Sequence, residues 1–206
     1  MTTTKALNGL TPSRRYAGGA NTTQTRNFRI GSAAAGSIFT GDLVHVRGGL
    51  VSVVGNDRGA SDTPIGVFMG CYYEEDGEPK WRDFWPTGTS ASNAYAIVCD
   101  DPQATFEIQC DTSASVGDIM EHNFEVTRGA GSTFTGRSGF GLDVASRTSG
   151  VAAMFRIIDF VDTPGNNIDN ASERAFPIAE VQLIHHQLTR VSSGQGYPER
   201  SLANGY

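Results

Sequence analysis

The sequence predicts an all-β protein, in which a compact β-barrel of SH3-like or similar type carries an extended N-terminal arm and a short C-terminal tail. Valine and isoleucine together number 25 against eight leucines, and β-branched side chains suit a pleated, half-buried surface better than a helix. Twenty-five glycines and eight prolines supply the many turns that an all-β chain requires. No stretch shows the apolar period of a helix of three turns.

Composition divides the chain of 206 residues into three segments. Residues 1–27 lack both the two-residue and the 3.6-residue apolar period and are dense in Thr, Asn and Gly. Such a segment cannot bury enough apolar surface to offset the entropy lost on ordering. We therefore expect an extended arm over residues 1–27 that becomes ordered only on a partner, a β domain over 28–191 and a tail over 192–206.

Two β-hairpins are predicted in the first half of the domain. The glycine pair Gly48-Gly49 separates the apolar stretches 43–47 and 50–54 and suits a tight two-residue turn. A longer strand follows over 65–73, and Asp76-Gly77 then turns the chain into the second hairpin. The odd-numbered side chains of that strand are expected to share one face: Ile65, Val67, Met69, Cys71 and Tyr73.

The later strands follow from similar patterns. Residues 94–99 form a continuous apolar run, which is typical of a strand covered on both faces. Residues 105–109 alternate, with Phe106 and Ile108 on one face. Two weak strands are predicted at 118–121 and 124–127, and a long Gly/Ser/Thr loop follows at 128–139. The two final strands are predicted at 151–161 and 178–185.

Charge is distributed unevenly along the chain. Residues 1–41 contain five basic residues and no Asp or Glu, whereas residues 42–206 contain 11 basic and 22 acidic residues. A basic end on an acidic body predicts an arm that docks on an acidic surface such as a neighbouring copy, although a solvated tail has the same composition. DNA-binding domains usually have a pI above ~9. The pI of about 5.1 therefore argues against direct binding to nucleic acid.

Cysteine usage and hydropathy indicate the compartment in which the chain folds. Cys71 and Cys99, two of the three cysteines, lie within apolar stretches, so we expect both to be buried free thiols. Unpaired cysteines favour folding in a reducing compartment. No apolar run approaches ~18 residues and no apolar leader follows Met1, so neither a transmembrane helix nor a secretory signal is predicted.

The residues that could carry chemistry favour structural roles. His185 and His186 are adjacent on a predicted strand, so they point to opposite faces and cannot chelate one ion; His185 is expected to be half-buried. The acidic cluster at 74–78 occupies a hairpin tip, where charge keeps the turn solvated. Asp100-Asp101 before Pro102 suits an Asx turn. We expect no enzymatic activity, metal or cofactor, while a hydrolase that uses these carboxylates stays open as an alternative.

A cluster of aromatic residues leaves a second alternative open. Trp81, Phe84 and Trp85 could form a platform for sugars, which would make the protein a carbohydrate-binding β module. Their alternation and the following Pro86 favour a different interpretation, in which these side chains anchor the core and a turn. Glycan binding is the measurement that would favour the sugar platform.

Six segments, in this order, carry a likeness to a known family: TGDLVHVRGGLV (40–51), IGVFMGCYYEEDGEPKWRDFWPTGT (65–89), AIVCDDPQATFEIQ (96–109), GSTFTGRSGFGLDV (131–144), FRIIDFVDTPGNNI (155–168) and VQLIHHQ (181–187). Together they cover most of residues 38–187. They resemble a family of tailed-phage head decoration (capsid cement) proteins. The arm and the tail match no family in this way.

The resemblance implies a virion structural protein that binds the outer surface of a tailed-phage capsid in many copies and stabilises the shell. Its implied partners are the major capsid protein and neighbouring copies of itself, as a homo-oligomer for which a trimer is one expected state. It implies no cofactor and no membrane, and a location on the capsid exterior after folding in the host cytoplasm. Another virion role, in the tail or connector, is the nearest alternative.

The composition of the arm suggests which residues make the contact. Arginine outnumbers lysine 14 to 2, and its planar guanidinium pairs carboxylates in a bidentate manner that suits a fixed interface. We therefore expect the basic residues of the arm and its border to contact the capsid or a neighbouring copy: Arg14, Arg15, Arg26 and Arg29.

Overall fold

The computed structural model describes residues 4–15, 24–31, 36–55, 63–150, 153–170 and 175–189. Within them the chain is all-β, as predicted, with a single 3₁₀ turn and no helix long and apolar enough to cross a membrane. The described strands are β1 Thr11–Arg15, β2 Thr25–Ile30, β3 Ile38–Phe39, β4 Leu43–Arg47, β5 Leu50–Val53, β6 Gly66–Glu75, β7 Glu78–Arg82, β8 Phe84–Trp85, β9 Ser92–Cys99, β10 Ala104–Gln109, β11 Asn123–Gly129, β12 Gly139–Thr148, β13 Phe155–Phe160 and β14 Ile178–Leu183.

Five strands close into a barrel, which confirms the predicted architecture. Their order is β4-β5-β2-β9-β6, and the start of β6 pairs back to β4 through Leu43↔Val67 and Val44↔Gly66. The end of β6 instead pairs with β7, which lies outside the ring. Strands alternate inward and outward side chains, and the inward ones form an apolar core around Phe68, Trp85 and Val98.

A second sheet of six strands, in the order β1-β10-β14-β13-β11-β12, packs against the barrel. Phe106, Phe124 and Phe155 lie at the centre of its core. The barrel residues Leu43 and Val67 belong to the same buried cluster, so the interiors of the two sheets are continuous. The sequence predicted several of these strands but not their separation into a second sheet.

Both predicted hairpins are confirmed. Gly48 and Gly49 have φ of +56° and +81°, and Asp76 and Gly77 have φ of +54° and +80°. Positive φ at both central residues defines the tight turn whose twist matches that of the flanking strands. The turn residues therefore fix the register of β4 with β5 and of β6 with β7.

The predicted face of β6 is wrong, because a β-bulge interrupts its alternation. The register with β9 shifts between Phe68 and Gly70, and a bulge moves the following side chains to the opposite face. Val67 consequently packs in the core of the second sheet, whereas Phe68 shares the barrel core with Cys71.

Two further differences concern the middle of the chain. Residues 118–121 are not a strand, because Ser115 and Asp118 cap a 3₁₀ turn over Val116–Asp118. The ten-residue strand β12 was not predicted, although its side chains Phe140, Leu142 and Val144 alternate and are buried. The glycines that precede β12 favoured a loop.

The N-terminal segment differs from the predicted arm over residues 4–15. β1 pairs with β10 as the edge of the second sheet, and Leu10 before it is only 1% exposed. β2 begins at Thr25 rather than at the expected boundary, and it lies between β5 and β9 in the barrel. Backbone pairing orders residues 11–15, and their partner is the chain's own body rather than another molecule.

The same segment connects the two sheets. Arg15 lies opposite Ala104 in the second sheet, and Thr25 lies opposite Cys99 in the barrel. Residues 99 and 104 flank the short corner at which the chain passes from one sheet to the other. β1 and β2 therefore pair with the strands on the two sides of that corner, β1 with β10 and β2 with β9.

All three cysteines are buried free thiols, which confirms the expectation for Cys71 and Cys99. Burial raises the pKa of Cys71 to about 12 and that of Cys99 to about 11. Burial also raises the pKa of Cys110. A thiolate is the reactive form, so these side chains are shielded both sterically and by protonation.

We therefore expect slow thiol labelling in the native state at pH 8 and rapid labelling of three thiols per chain in denaturant. The folded state holds the thiol protons more tightly than the unfolded chain, whose thiols titrate near pH 9. The free energy of unfolding should be highest below about pH 9 and fall as the pH rises towards 11–12. Denaturant melts between pH 7 and 11 measure this loss. Native labelling at the unfolded rate would contradict the burial.

Candidate functional site

A row of aromatic side chains crosses the outer face of the barrel. Trp81 of β7, Tyr72 of β6 and Tyr95 of β9 occupy directly opposed positions on adjacent strands. Their ring centroids are 5.0 Å apart for Trp81 and Tyr72 and 5.2 Å apart for Tyr72 and Tyr95. Cross-strand neighbours at this distance stabilise both the sheet and each other. The row is therefore a rigid surface feature.

Arg29 of β2 ends the row at the side opposite Trp81. It is paired with Tyr95 in the strand register, and its guanidinium carbon lies 5.8 Å from the Tyr95 ring centroid. A cation over an aromatic face at this distance is attracted by the ring. Asn27, two residues earlier on β2, donates a hydrogen bond of 3.3 Å to the Tyr72 hydroxyl. Among the residues that the structure describes, Arg29 has no carboxylate partner.

A groove of about 530 Å³ begins where the row reaches Trp81. Met69, Gly70 and Ile97 line it, and Phe134 from the β11–β12 loop contributes to its wall. Trp81 is 70% exposed and Phe134 is 98% exposed. Two large aromatic residues therefore project into solvent at one groove. We call the row, the groove and Phe134 together the aromatic face.

The composition of the aromatic face is that of a binding surface. Exposed apolar side chains that cluster mark interaction sites more often than isolated ones do. Trp, Tyr and Arg are the residue types that most often dominate the binding energy of protein interfaces. Arg82 and Asp83 also line the groove, so the apolar centre has a charged border. The face can thus bury aromatic surface while its charges select the partner.

The structure does not bring the four predicted contact arginines together. Arg14 forms a bidentate pair with Glu180 of β14, with Nε–Oε1 and Nη2–Oε2 distances of 2.7 Å and 2.5 Å. Arg26 lies 3.1 Å from the carboxylate of Asp100. The side chain of Arg15 lies outside the described residues. Of the three whose side chains the structure describes, Arg29 alone lies on the aromatic face.

The contact of these arginines with a capsid or a neighbouring copy stays a prediction, and Arg14 has an intramolecular partner that composition did not reveal. Glu180 is buried, and it also accepts a 2.6 Å hydrogen bond from the Thr105 hydroxyl. Arg14 satisfies this buried carboxylate, and Glu180 in turn raises the pKa of Arg14. Position 180 is far from position 14 in sequence, so composition could not reveal the pair.

The two tryptophans of the sugar-platform alternative have different environments. Trp85 is 1% exposed and meets the Tyr73 ring edge-on at 5.2 Å, as a core residue. Trp81 is exposed and not a core anchor. The rings of the row lie against each other, so part of each face is covered by a neighbour. A flat platform built from Trp81 and Trp85 is therefore wrong.

The acidic clusters have structural contacts. The Asp101 side chain accepts the Gln103 N–H at 2.9 Å, which is the predicted Asx turn. Glu75 pairs with Lys80 at 2.6 Å across the hairpin, and this contact lowers the pKa of Glu75. Over the described ranges no three His, Cys, Asp or Glu side chains are grouped closely enough to hold a metal ion.

The histidines differ from the sequence prediction in two respects. β14 ends at Leu183, so His185 and His186 lie beyond the strand. His185 is half-buried, as expected. His186 is buried, and its Nδ1 atom accepts a hydrogen bond from the Leu188 N–H. Burial lowers the pKa of His186. The structure also brings Ser52 Oγ within 2.7 Å of His45 Nε2. The register of the hairpin centred on Gly48-Gly49 places Ser52 opposite His45, so this contact could have been predicted from the sequence.

No protein-family model matches the chain, and no curated protein or solved structure is detectably similar to it.

Proposed function

We propose that this protein is a virion structural protein that binds the outer surface of a tailed-phage capsid in many copies and stabilises the shell. The sequence likeness over residues 38–187 suggests the setting. The observation that carries the proposal is the aromatic face, where Trp81 and Phe134 are exposed at one groove beside a rigid row. The partner at this face is the major capsid protein.

The physical properties of the face suit attachment to a large, repetitive assembly. A row fixed by four paired strands loses little conformational entropy on binding, so more of the contact energy is available for affinity. Each copy needs only moderate affinity when a symmetric shell offers many equivalent sites, and contacts between neighbouring copies raise the effective concentration. Arg29 supplies a charge for pairing at the edge of the face.

Decoration of capsids assembled without this protein tests the proposal. We expect the double variant Trp81→Ala/Phe134→Ala to bind such shells at least ~30-fold more weakly than the unmodified chain, since one hot-spot residue alone contributes ~2 kcal/mol or more. Cosedimentation over a concentration series measures the affinity. Both side chains are exposed, so the variant should remain folded and lose about 1 kcal/mol or less, mainly from the Trp81–Tyr72 pair.

A matched control is Val116→Ala, which removes an exposed apolar side chain from the 3₁₀ turn at another part of the surface. It should leave shell binding unchanged. If the unmodified chain does not bind shells but binds isolated tails or connectors, the location proposed here is wrong and the alternative virion role is correct. Equal binding of the double variant and the unmodified chain would exclude the aromatic face as the contact.

A further inference from the structure

The two ends of the aromatic face differ in charge. At one end, Arg29 is exposed and lies against the Tyr95 ring, and no carboxylate of the described chain pairs with it. At the other end, Arg82 and Asp83 both line the groove beside Trp81, so their formal charges cancel there. A ligand that covers the face therefore meets an uncompensated positive charge at the Arg29 end and an apolar groove at the Trp81 end.

The strands set the distance between these two ends. The row from Arg29 to Trp81 crosses β2, β9, β6 and β7, which are neighbours in the sheet. Paired strands lie about 4.8 Å apart, so the three gaps make the row about 14 Å long. An extended peptide advances about 3.4 Å per residue and points alternate side chains to the same side. A segment lying along the row thus spans it in about four residues, and three alternate side chains face the barrel.

The middle of the row favours an apolar side chain. The Tyr72 and Tyr95 rings stack there at 5.2 Å. Glu74, two residues after Tyr72 on β6, lies on the same face, and its carboxylate accepts a 3.0 Å hydrogen bond from the Asn93 side-chain amide. Because like charges repel, this carboxylate opposes an acidic residue above the two rings. The charges on the face therefore favour a ligand carboxylate at Arg29 and disfavour one at the middle.

We propose that the aromatic face binds an extended segment that carries one acidic residue and, two and four positions away from it, two apolar residues. The carboxylate pairs with Arg29, and the middle side chain lies on the stacked tyrosines. The second apolar side chain enters the groove between Trp81 and Phe134. The contact with Tyr95 holds the guanidinium on the face before binding, so less freedom is lost when it pairs with the two carboxylate oxygens. The segment would belong to the capsid protein, so this specificity rests on the proposed function.

A short peptide tests the specificity on the full chain. The acetylated and amidated sequence Gly-Glu-Thr-Leu-Thr-Phe-Gly, here the acidic peptide, has the required spacing, and its threonines favour an extended backbone. It contains no tryptophan, so protein fluorescence reports binding at Trp81, which is 70% exposed, while Trp85 is buried in the core. We expect a saturable blue shift of the emission as the peptide covers Trp81.

Two further peptides separate the role of the charge from that of the spacing. The first has Gln in place of Glu and so lacks the charge. The second exchanges Glu with Leu, which keeps the composition but places the carboxylate two positions from Phe instead of four. Each should bind about three- to five-fold more weakly than the acidic peptide, which is the range that an exposed ion pair provides.

Substitutions at Arg29 show whether this residue reads the carboxylate. Arg29→Gln should bind the acidic peptide and its Gln counterpart with equal affinity. Arg29→Glu should prefer a peptide with Arg in place of Glu, because the exchange of charges restores the pair. Lys5→Glu is the matched control, since it gives the same change in net charge at an exposed position that lies over Phe176, away from the aromatic face. It should leave the affinities for all peptides unchanged.

Phe134→Ala keeps the test decisive if thermal unfolding shows that the Arg29 variants do not fold. Phe134 is 98% exposed, so its truncation should leave the fold intact. It contacts the apolar end of the peptide alone, so its loss should weaken the acidic peptide and the Gln peptide by the same factor. Unchanged affinity in this variant would place the peptides elsewhere and overturn the proposal.

Absence of a saturable response at millimolar acidic peptide would also overturn the proposal, as would equal affinity of the unmodified chain for the three peptides. A preference for the acidic peptide that persists in Arg29→Gln would have the same consequence. Shell decoration is measured separately. If shells bind while the three peptides do not differ, the capsid role stands and the acidic segment is wrong. If the peptides bind as expected and shells do not, the capsid role alone is wrong.

Discussion

Deletion of residues 1–27 should abolish cooperative folding rather than release an intact β domain. The deletion removes β1, which pairs with β10 at the edge of the second sheet, and the first half of β2, which lies inside the closed barrel. It also removes Leu10 from the core and leaves the buried Glu180 carboxylate without Arg14. An uncompensated buried charge and an opened barrel are both severe defects.

A graded series makes this expectation quantitative. Leu10→Ala alone should lower the free energy of unfolding by about 2–5 kcal/mol, the usual cost of truncating a buried leucine. Such a loss is a large part of the 5–15 kcal/mol that is typical of a domain. Urea denaturation followed by circular dichroism, with a cooperative transition in the unmodified chain as reference, measures both variants.

The predicted tail, residues 192–206, lies outside the described residues and was assigned from composition alone; its deletion is the matched control and should leave the transition midpoint nearly unchanged. A deletion variant lacking residues 1–27 that unfolds with the same midpoint and cooperativity as the full chain would show that the N-terminal segment is a dispensable arm. That outcome would restore the sequence-based prediction and contradict the packing of Leu10.

Substitution of a single glycine should have an effect of comparable size. Gly66 begins β6 where this strand pairs with β4 to close the barrel. A Cβ placed there would lie 2.0 Å from the backbone oxygen of Cys99 and 2.8 Å from its carbonyl carbon. Its φ of +155° adds strain for any other residue. Because backbone atoms of β9 form the obstacle, rotation of a side chain cannot relieve the clash.

We expect Gly66→Ala to lower the free energy of unfolding by about 3–5 kcal/mol, as the sum of overpacking and backbone strain. Gly36→Ala is the control, since no atom lies within 4 Å of its added Cβ and its φ is not in the strained range. The control should change stability by less than about 0.5 kcal/mol. Similar losses in the two variants would indicate a general effect of replacing glycine and would contradict the close approach at Gly66.

Features that depend on neighbouring residues were predictable from the sequence. Gly48-Gly49 and Asp76-Gly77 determine two turns through their own backbone conformations, so both hairpins and their registers follow from short segments. Features that depend on distant pairing were not predictable in this way. The bulge at Phe68–Gly70 forms in the pairing of β6 with β9, and because of it Val67 does not share a face with Cys71 as predicted.

The candidate site shows the same division. The register of the second hairpin places Tyr72 opposite Trp81. This pair could have been predicted from the sequence, because the turn at Asp76-Gly77 sets the register. Tyr95 joins the row only because β9 pairs with β6, and Phe134 reaches the groove from the second sheet. These contacts are set by the assembled fold, so no short pattern could predict them.

The position of β1 has a consequence for the order in which the protein folds during synthesis. β1 is translated before its partner β10, and Arg14 is translated long before Glu180, the carboxylate with which it pairs. Contacts between such distant positions close large loops, and chains dominated by them fold in milliseconds to seconds. Leu10 would thus be accessible to chaperones until the later strands that cover it, β10 to β14, have been made. β14, which is translated after the other strands of the second sheet and lies between β10 and β13, completes that sheet last.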